Sequence, residues 1–211
     1  MRDISFRVSA KEMAGFIGRT GRYVLLLLII LHVSLLTLYF SFSGKSTIFL
    51  VLLGFLPYEG SVTIDGLEVS KIPRKVLRSR VTAIPQDGLI LPGTIRQNLM
   101  PWLLNESEPT SDQCSTSDIM QVLEDTMLAD KISLDSLDTH IDELGFSAGE
   151  RQLFSVARSM LLNLWNGRRI VLMDEASSNV DVETDEKLHL AIGKAFQDRT
   201  ICSITHRIET V

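Results

Sequence analysis

Gly44-Lys45-Ser46-Thr47 opens an apolar stretch that continues to Leu53, and this pattern predicts a buried helix. A glycine, a lysine and a hydroxyl residue at the start of a helix form the second half of a phosphate-binding loop. The glycine lets backbone N–H groups face the phosphates, the lysine reaches the outer phosphates, and the hydroxyl is a ligand for Mg²⁺. The complete motif has another glycine five positions before Gly44, where this sequence has Tyr39, so the motif is incomplete as it stands.

The missing half of the motif lies upstream, where Gly18-Arg19-Thr20-Gly21 directly follows a strand pattern. Removal of residues 22–42 would join this half to Ser43 and give the run Gly-Arg-Thr-Gly-Ser-Gly-Lys-Ser-Thr, a complete phosphate loop. We therefore interpret residues 22–42 as an insert within one loop. The residues expected to bind phosphate are Gly18, Arg19, Thr20, Gly21, Ser43, Gly44, Lys45, Ser46 and Thr47.

The insert has the composition of a membrane helix. Residues 23–42 include 16 apolar residues out of 20, and His32 is the only acidic or basic residue among them. Twenty helical residues span about 30 Å, the thickness of the bilayer core. Such a helix would hold Gly21 and Gly44 on opposite sides of a bilayer, whereas the phosphate loop needs them two residues apart. A spanning helix and a working loop therefore exclude each other in this chain.

A second interpretation of the insert is a retained intron that is read as coding sequence. Its 21 codons keep the reading frame. Arg22-Tyr23-Val24 can be encoded with a donor-like junction, and Phe42-Ser43 can be encoded by a stretch ending in TTCAG. Codon degeneracy makes each of these signals weak, but the restored motif supports them together.

Four further patterns follow in order along the chain. Ile84-Pro85-Gln86 ends a strand with a glutamine able to sense a metal-bound phosphate. Ser147-Ala148-Gly149-Glu150 opens a helix with a hydroxyl and backbone amides at its N-terminus, which favours anions. A buried strand ends in Asp174-Glu175, which suit Mg²⁺ binding and polarisation of water. Thr205-His206 follows the last strand and brings an imidazole to the same edge.

In this order, the patterns resemble the nucleotide-binding domain of ABC transporters over the whole chain apart from the insert. The resemblance implies that residues 18–21 and 43–47 form the Walker A loop and that Gln86 is the Q-loop residue. Residues 146–150 are similar to the signature that contacts ATP bound by a partner, through Ser147, Ala148, Gly149 and Glu150. Residues 93–99 and Arg151-Gln152-Leu153 look most like the second cassette of the multidrug-resistance-associated (C) subfamily.

The same resemblance implies the roles of the remaining residues. Asp174 and Glu175 match the Walker B end, Ser178 and Asp181 the D-loop, and His206 the H-loop. The implied cofactors are ATP and Mg²⁺. The implied catalytic residues are Glu175, His206 and Gln86, and the implied metal ligands are Ser46, Gln86 and Asp174.

The alternation of strands and helices predicts an α/β fold with a P-loop NTPase-type, mainly parallel sheet. An antiparallel β subdomain is expected from N-terminal strands at 4–8 and 61–66, and a helical subdomain between Gln86 and the signature. Sheet strands are predicted at 13–18, 81–85, 169–173 and 200–205. Helices are predicted at 44–53, 118–128, 150–162 and 184–196, with a surface loop at 105–117. The expected organisation is one cassette over 1–211, truncated at both ends and interrupted at 22–42.

Composition restricts the remaining functions. A net charge of −5 argues against a nucleic-acid partner bound through a basic face, and two cysteines exclude a disulfide-rich scaffold. The resemblance implies two partners, a second nucleotide-binding domain and transmembrane domains absent from this chain, at the cytosolic face of a membrane. We expect weak or no ATPase activity because the loop is split. The alternatives are a single-pass membrane protein with an inactive cassette and a soluble ABC ATPase without a transport role.

Overall fold

The computed structural model describes residues 5–17, 44–102, 115–174 and 181–205. Helices separate the successive strands of its main sheet along the chain, as an α/β fold requires. In chain order they are β1 (Met13–Ile17), α1 (Gly44–Leu52), β2 (Thr63–Ile64), β3 (Leu67–Glu68), α2 (Arg74–Arg80), β4 (Val81–Ile84), α3 (Ile95–Leu99), α4 (Thr116–Asp125), α5 (Ala148–Asn166), β5 (Ile170–Asp174), α6 (Val182–Ala195) and β6 (Thr200–Thr205).

The main sheet has four strands in the order β1-β6-β5-β4, and all neighbouring strands are parallel. The register pairs Ile17 with Thr205, Asp174 with Ile204, and Ile84 with Met173. The four carboxyl ends therefore lie side by side at one edge. This confirms the predicted mainly parallel sheet, and it brings the ends of the strands that carry the motifs together.

Helices cover both faces of the sheet. Phe49 of α1 packs in one buried cluster with Val81, Leu172, Cys202 and Ile204. A second buried cluster lies on the other face of the sheet and includes side chains of the helices α3, α4, α5 and α6. Because β5 is buried on both faces, its sequence Ile-Val-Leu-Met is continuously apolar instead of alternating. The strand residues of the second cluster are Ile84, Val171, Met173 and Ile201.

The antiparallel part of the fold is the hairpin β2–β3. Thr63 pairs with Glu68 and Ile64 with Leu67. The two connecting residues, Asp65 and Gly66, both have positive φ, of 50° and 78°, as a tight two-residue hairpin turn requires. Within the segment 61–66 predicted to be a strand that ends in a turn, the strand covers Thr63–Ile64 and the turn is Asp65-Gly66.

The predicted strand at 4–8 is wrong over its described part, since residues 5–8 belong to no strand. The alternating pattern there has a different cause. The half-exposed ring of Phe6 packs edge-on against Phe16 of β1 at a centroid distance of 5.0 Å. An apolar side chain that docks onto the sheet produces the same alternation as a strand, without backbone pairing.

The predicted helical subdomain between Gln86 and residue 147 is present. It contains α3, α4 and two short 3₁₀ turns at Leu134–Ser136 and Ile141–Leu144. Ser115 caps α4 by accepting a hydrogen bond from the Asp118 amide, so this helix begins two residues before its predicted start. The rest of the predicted loop at 105–117, as far as residue 114, lies outside the described residues.

The structure tests for a membrane-spanning helix only within the residues that it describes. Within residues 5–17, 44–102, 115–174 and 181–205, no helix is both long enough and apolar enough to cross a bilayer. The apolar insert at 22–42 lies outside these ranges. The predicted transmembrane helix there, like the split of the phosphate loop, therefore stays a prediction.

Candidate functional site

The N-terminus of α1 points toward the carboxyl edge of the sheet. Arg78, at the end of α2 and just before β4 begins, donates from Nε to the carbonyl of Leu53 at 3.1 Å. This contact fixes the C-terminal end of α1 at the amino edge. The nine residues of α1 span about 14 Å, close to the length of a five-residue strand, so Gly44 lies near the opposite edge. Lys45 and Ser46 follow in the first turn, where free amides and the helix dipole favour anions.

Asp174 lies on the same face of the sheet as α1. Side chains alternate along a strand, and Asp174 therefore shares a face with Leu172, which packs against Phe49 of α1. Asp174 is also the last residue of β5 and is only partly buried. The Asp174 carboxylate therefore lies on the face that α1 covers, and Ser46 belongs to the first turn of that helix. Carboxylate and hydroxyl oxygens are donors that fit Mg²⁺.

Several predicted site residues come shortly after strands whose last residues the structure describes. β1 ends at Ile17 and β6 at Thr205, and these two residues are paired in the sheet. Strands about 4.8 Å apart bring these ends within about 10 Å of the end of β5. The predictions for Gly18, Arg19, Thr20, Gly21, Ser43, Glu175, Ser178 and His206 concern residues outside the described ranges.

Gln86 lies in the loop that leaves β4, and its side chain is exposed. Two residues later this loop meets the backbone of α5 directly. A methyl group on Gly88 would overlap the carbonyl group of Arg151 and would lie 2.8 Å from the amide nitrogen of Gln152. Glycine is therefore the residue that permits this approach of loop to helix.

Two polar side chains, those of Asn98 and Arg158, hydrogen-bond to the later part of the same loop. The buried side chain of Asn98 accepts from the Leu91 amide and donates to the Leu91 carbonyl, both at 2.8 Å. Arg158 of α5 donates to the carbonyls of Asn98 at 2.6 Å and Leu89 at 2.8 Å. Burial lowers the pKa of Arg158 to about 10, so the guanidinium stays charged at neutral pH. The Gln86 loop is therefore attached to α5 at several points.

The segment at residues 147–150 begins α5 with a complete capping box. Ser147 Oγ accepts from the Glu150 amide at 3.2 Å, and Glu150 Oε2 accepts from the Ser147 amide at 2.7 Å. Lys131 Nζ donates to Glu150 Oε1 at 2.7 Å. The hydrogen bond from Lys131, followed by that from the Ser147 backbone, lowers the pKa of Glu150.

The structure does not bring this segment onto the α1 face. Helix α5 packs through Phe154 and Val156 into the cluster on the opposite face of the sheet, with Val171 and Met173. Its C-terminal end is near the amino edge, since Arg199 donates to Asn163 Oδ1 just before β6 begins. With 19 residues, α5 is about 28 Å long and extends roughly 10 Å beyond the strands.

Asp181 starts α6 in the manner expected of a helix cap. Its carboxylate accepts from the Thr184 amide at 3.0 Å and from the Thr184 hydroxyl at 2.7 Å. The described geometry thus assigns Asp181 a structural contact. Its predicted D-loop role remains a prediction.

The pKa shift of Glu150 predicts a pH effect on stability. Its folded-state pKa lies below the usual 4.5, so ionised Glu150 stabilises the fold above about pH 4.5, and this contribution disappears as the pH falls through the lowered pKa. We expect Glu150→Gln to be less stable than wild type at pH 7. The difference should shrink as the pH falls below about 4.5 and through the lowered pKa of Glu150.

Thermal unfolding midpoints measured across this pH range provide the test. Glu124→Gln, at an exposed position on α4, is the matched control, and its curve should run parallel to that of wild type. A constant offset between Glu150→Gln and wild type as the pH falls below about 4.5 would contradict the assignment.

Comparison with known proteins identifies the family. A family model described as ABC transporter matches residues 41–178, more than half of the chain. The chain belongs to the ABC transporter family. Cassettes of this family bind ATP and are ATP hydrolases, so the membership supports both for this ABC domain.

The relatives of this ABC domain are transporters of the C-subfamily type. It is 34% identical, over 99% of its length, to mouse ATP-binding cassette sub-family C member 10. It is 33% identical, over 100% of its length, to bile pigment transporter 1 of Saccharomyces cerevisiae, and 35% identical, again over 100%, to the vacuolar heme ABC transmembrane exporter abc3 of Schizosaccharomyces pombe. The chain spans 12–13% of the length of these three proteins.

The fold also matches a solved exporter. The structure of a bacterial Atm1-family ABC exporter with ATP bound aligns with 98% of this chain at a TM-score of 0.72 and 26% sequence identity. The chain covers 31% of that exporter chain. The α/β fold and the family resemblance expected from the motifs are thereby confirmed.

Sequence reasoning missed three residues that shape this ABC site, Gly88, Lys131 and Arg158. Their contacts join positions 19 to 69 residues apart in sequence. A spacing pattern carries no signal for such contacts. The basic residue of an amphipathic helix, such as Arg158, is indistinguishable from a solvated one until its partners are known.

Proposed function

We propose that this chain is the ATP-binding and ATP-hydrolysing cassette of a C-subfamily exporter, and that it corresponds to the second cassette of such a protein. The observation that carries this proposal is the shared face of Asp174 and the α1 N-terminus at the carboxyl edge of a parallel sheet. Anion-binding amides and a carboxylate ligand at one edge are what a Mg²⁺-nucleotide requires.

In this proposal, Lys45 and the amides of residues 18–21 and 43–47 bind the phosphates of ATP. Ser46, Gln86 and Asp174 would hold Mg²⁺, and the metal would supply positive charge beside the phosphates. Glu175 accepts a proton from the attacking water, and His206 orients toward the γ-phosphate. Catalysis then depends mainly on positioning and on charge neutralisation.

The position of the signature supports a composite site with a second cassette. Residues 147–150 begin α5 on the face opposite α1, beyond the edge of the sheet. The Ser147 hydroxyl and the amides of Ala148 and Gly149, which take no part in the capping-box hydrogen bonds as donors, therefore suit an ATP molecule held by a partner. Ser178 and Asp181 would lie in the same interface. Transmembrane domains of the exporter would complete the assembly at the cytosolic face of a membrane.

We further propose that residues 22–42 interrupt the phosphate loop and leave the translated chain with weak or no ATPase activity. The two halves of the loop motif, residues 18–21 and 43–47, are separated by 21 residues in the sequence, and this separation supports the proposal. Sequencing of the mature transcript across codons 15–50 separates the two origins of the insert. A product lacking 21 codons supports the intron, whereas retention of the codons supports a membrane segment in an inactive cassette.

Removal of the Asp174 carboxylate tests the nucleotide site. In the chain without residues 22–42, we expect Asp174→Asn to weaken Mg²⁺-dependent ATP binding by about tenfold, since it removes a charged metal ligand. Binding of ATP in the presence of EDTA should change little. Equilibrium dialysis with labelled ATP, with and without Mg²⁺, measures both.

Asp138→Asn is the matched control, because Asp138 is an exposed aspartate whose carboxylate pairs with Arg96 of α3. Equal Mg²⁺ dependence in wild type and Asp174→Asn would refute the proposed metal site. ATP binding by neither protein would refute the nucleotide site itself.

A further inference from the structure

The signature-like segment carries an acidic residue where an anion is expected to bind. Residues 146–150 read Phe-Ser-Ala-Gly-Glu, so the fifth position has Glu150 in place of the glutamine of the family pattern. The carboxylate belongs to the first turn of α5, next to the amides of Ala148 and Gly149. A negative charge at this place repels phosphate and opposes the attraction of the helix N-terminus.

Lys131 is the cation that faces this carboxylate. Its Nζ lies 2.7 Å from Glu150 Oε1 and 5.3 Å from the ring centroid of Phe146. The side chains are 32% and 31% exposed, so the pair is less screened than a fully solvated one. The neighbouring residue Ile132 is fully buried and donates its amide to the Leu128 carbonyl, which anchors the backbone that presents Lys131.

Both carboxylate oxygens of Glu150 accept hydrogen bonds. One carboxylate oxygen accepts from Lys131, and the other accepts from the Ser147 amide. The next cation, Arg151, directs its Nε to the carbonyl of Phe146 at 3.2 Å. Direct neutralisation of Glu150 is therefore assigned to Lys131.

We propose that Lys131 is a positioning residue that neutralises and holds Glu150, so that Ser147 and Gly149 can accept the phosphates of ATP bound by a partner cassette. This inference rests on the proposed function, which assigns residues 147–150 to that contact. A serine hydroxyl and two amides then face the phosphates without a competing free carboxylate. The acidic fifth position is tolerated because its counter-charge comes from outside the motif.

A double-mutant cycle on the full chain tests the inference. Lys131→Met, Glu150→Gln and the double variant are titrated with tripolyphosphate, the phosphate chain of ATP, while NMR follows the amides of Ala148, Gly149 and Glu150. We expect Lys131→Met to weaken binding by about fivefold, the size of one partly screened charge interaction. The double variant should return to the wild-type value, because the repelling charge is gone as well.

The controls separate charge from folding. Lys75→Met removes an exposed cation from α2 and should leave the titration unchanged. If Lys131 acted only as a structural support for α5, the double variant would bind as weakly as Lys131→Met, and that result would overturn the inference. Unchanged binding in Lys131→Met, or no response of the wild-type amides, would overturn it as well.

Failure of the proposed function is recognised separately. In the chain that lacks residues 22–42, ATP should shift the NMR signals of the Gly44, Lys45 and Ser46 amides. Absence of that response refutes the nucleotide site. The tripolyphosphate titrations of the double-mutant cycle still test the role of Lys131. A response of the α1 amides to ATP, with no response of residues 148–150 to tripolyphosphate, refutes the inference and leaves the nucleotide site intact.

Discussion

Deletion of residues 22–42 is expected to increase the affinity of this chain for Mg²⁺-ATP by about 100-fold. The deletion joins Gly21 to Ser43 and restores an uninterrupted run of backbone amides before α1. Two recovered charge-assisted hydrogen bonds at about 1.5 kcal/mol each account for this factor. The half-loop of Gly44 and Lys45 alone keeps only the helix N-terminus and one cation.

The physical basis of this expectation is the geometry of successive amides. A phosphate is bound tightly when several consecutive N–H groups converge on it, and glycines allow the backbone to adopt that curvature. In the translated sequence, Phe42 precedes Ser43 and the upstream glycines are 21 residues further away. The affinity difference between the two forms therefore measures the contribution of the first half of the loop.

Isothermal titration of both forms with Mg²⁺-ATP measures this difference. The matched control is the deletion combined with Lys45→Ala, which keeps the joined backbone but removes the phosphate-binding cation and should lose most of the gain. Equal affinity of the full chain and the deletion form would show that the insert does not divide the site. A deletion form that binds ATP independently of Lys45 would place the nucleotide elsewhere.

The sheet was largely predictable from the sequence because its strands are buried. The apolar run before Asp174 and the one at 200–205 could be recognised from hydrophobicity alone, since parallel strands lack polar alternation. The helices α2 and α3 were not predicted. Each has five to seven residues, too few to produce a helical period, and α2 is mostly basic and exposed.

The site was predictable only where it is contiguous in sequence. Asp174 and residues 44–47 could be assigned because the motif residues adjoin the elements that present them. The contacts that support the Gln86 loop could not be predicted. Gly88 meets Arg151, and Arg158 meets Leu89, although the residues of each pair are more than 60 positions apart in sequence. These contacts exist only after α5 has packed on β4.

The contact at Gly88 predicts a large loss of stability. We expect Gly88→Ala to lower the free energy of unfolding by about 2–3 kcal/mol, the cost of overpacking against a rigid backbone. The added methyl group meets the backbone of α5 at Arg151 and Gln152, and helix backbone cannot rotate away as a flexible side chain can. The loop must move instead, which strains the hydrogen bonds of Arg158 and Asn98.

Gly193→Ala is the matched control for this substitution. Gly193 lies in α6 with nothing within 4 Å of an added methyl group, so alanine should stabilise the fold by about 0.5–1 kcal/mol. Urea unfolding followed by tryptophan fluorescence reports on both variants, because Trp102 and Trp165 are stacked with their ring centroids 5.5 Å apart. Opposite shifts of the two midpoints would show that the close approach, and not the loss of glycine as such, destabilises the protein. If Gly88→Ala unfolded at the wild-type urea concentration, the loop and α5 would not be in contact, and Gln86 would lack the support described here.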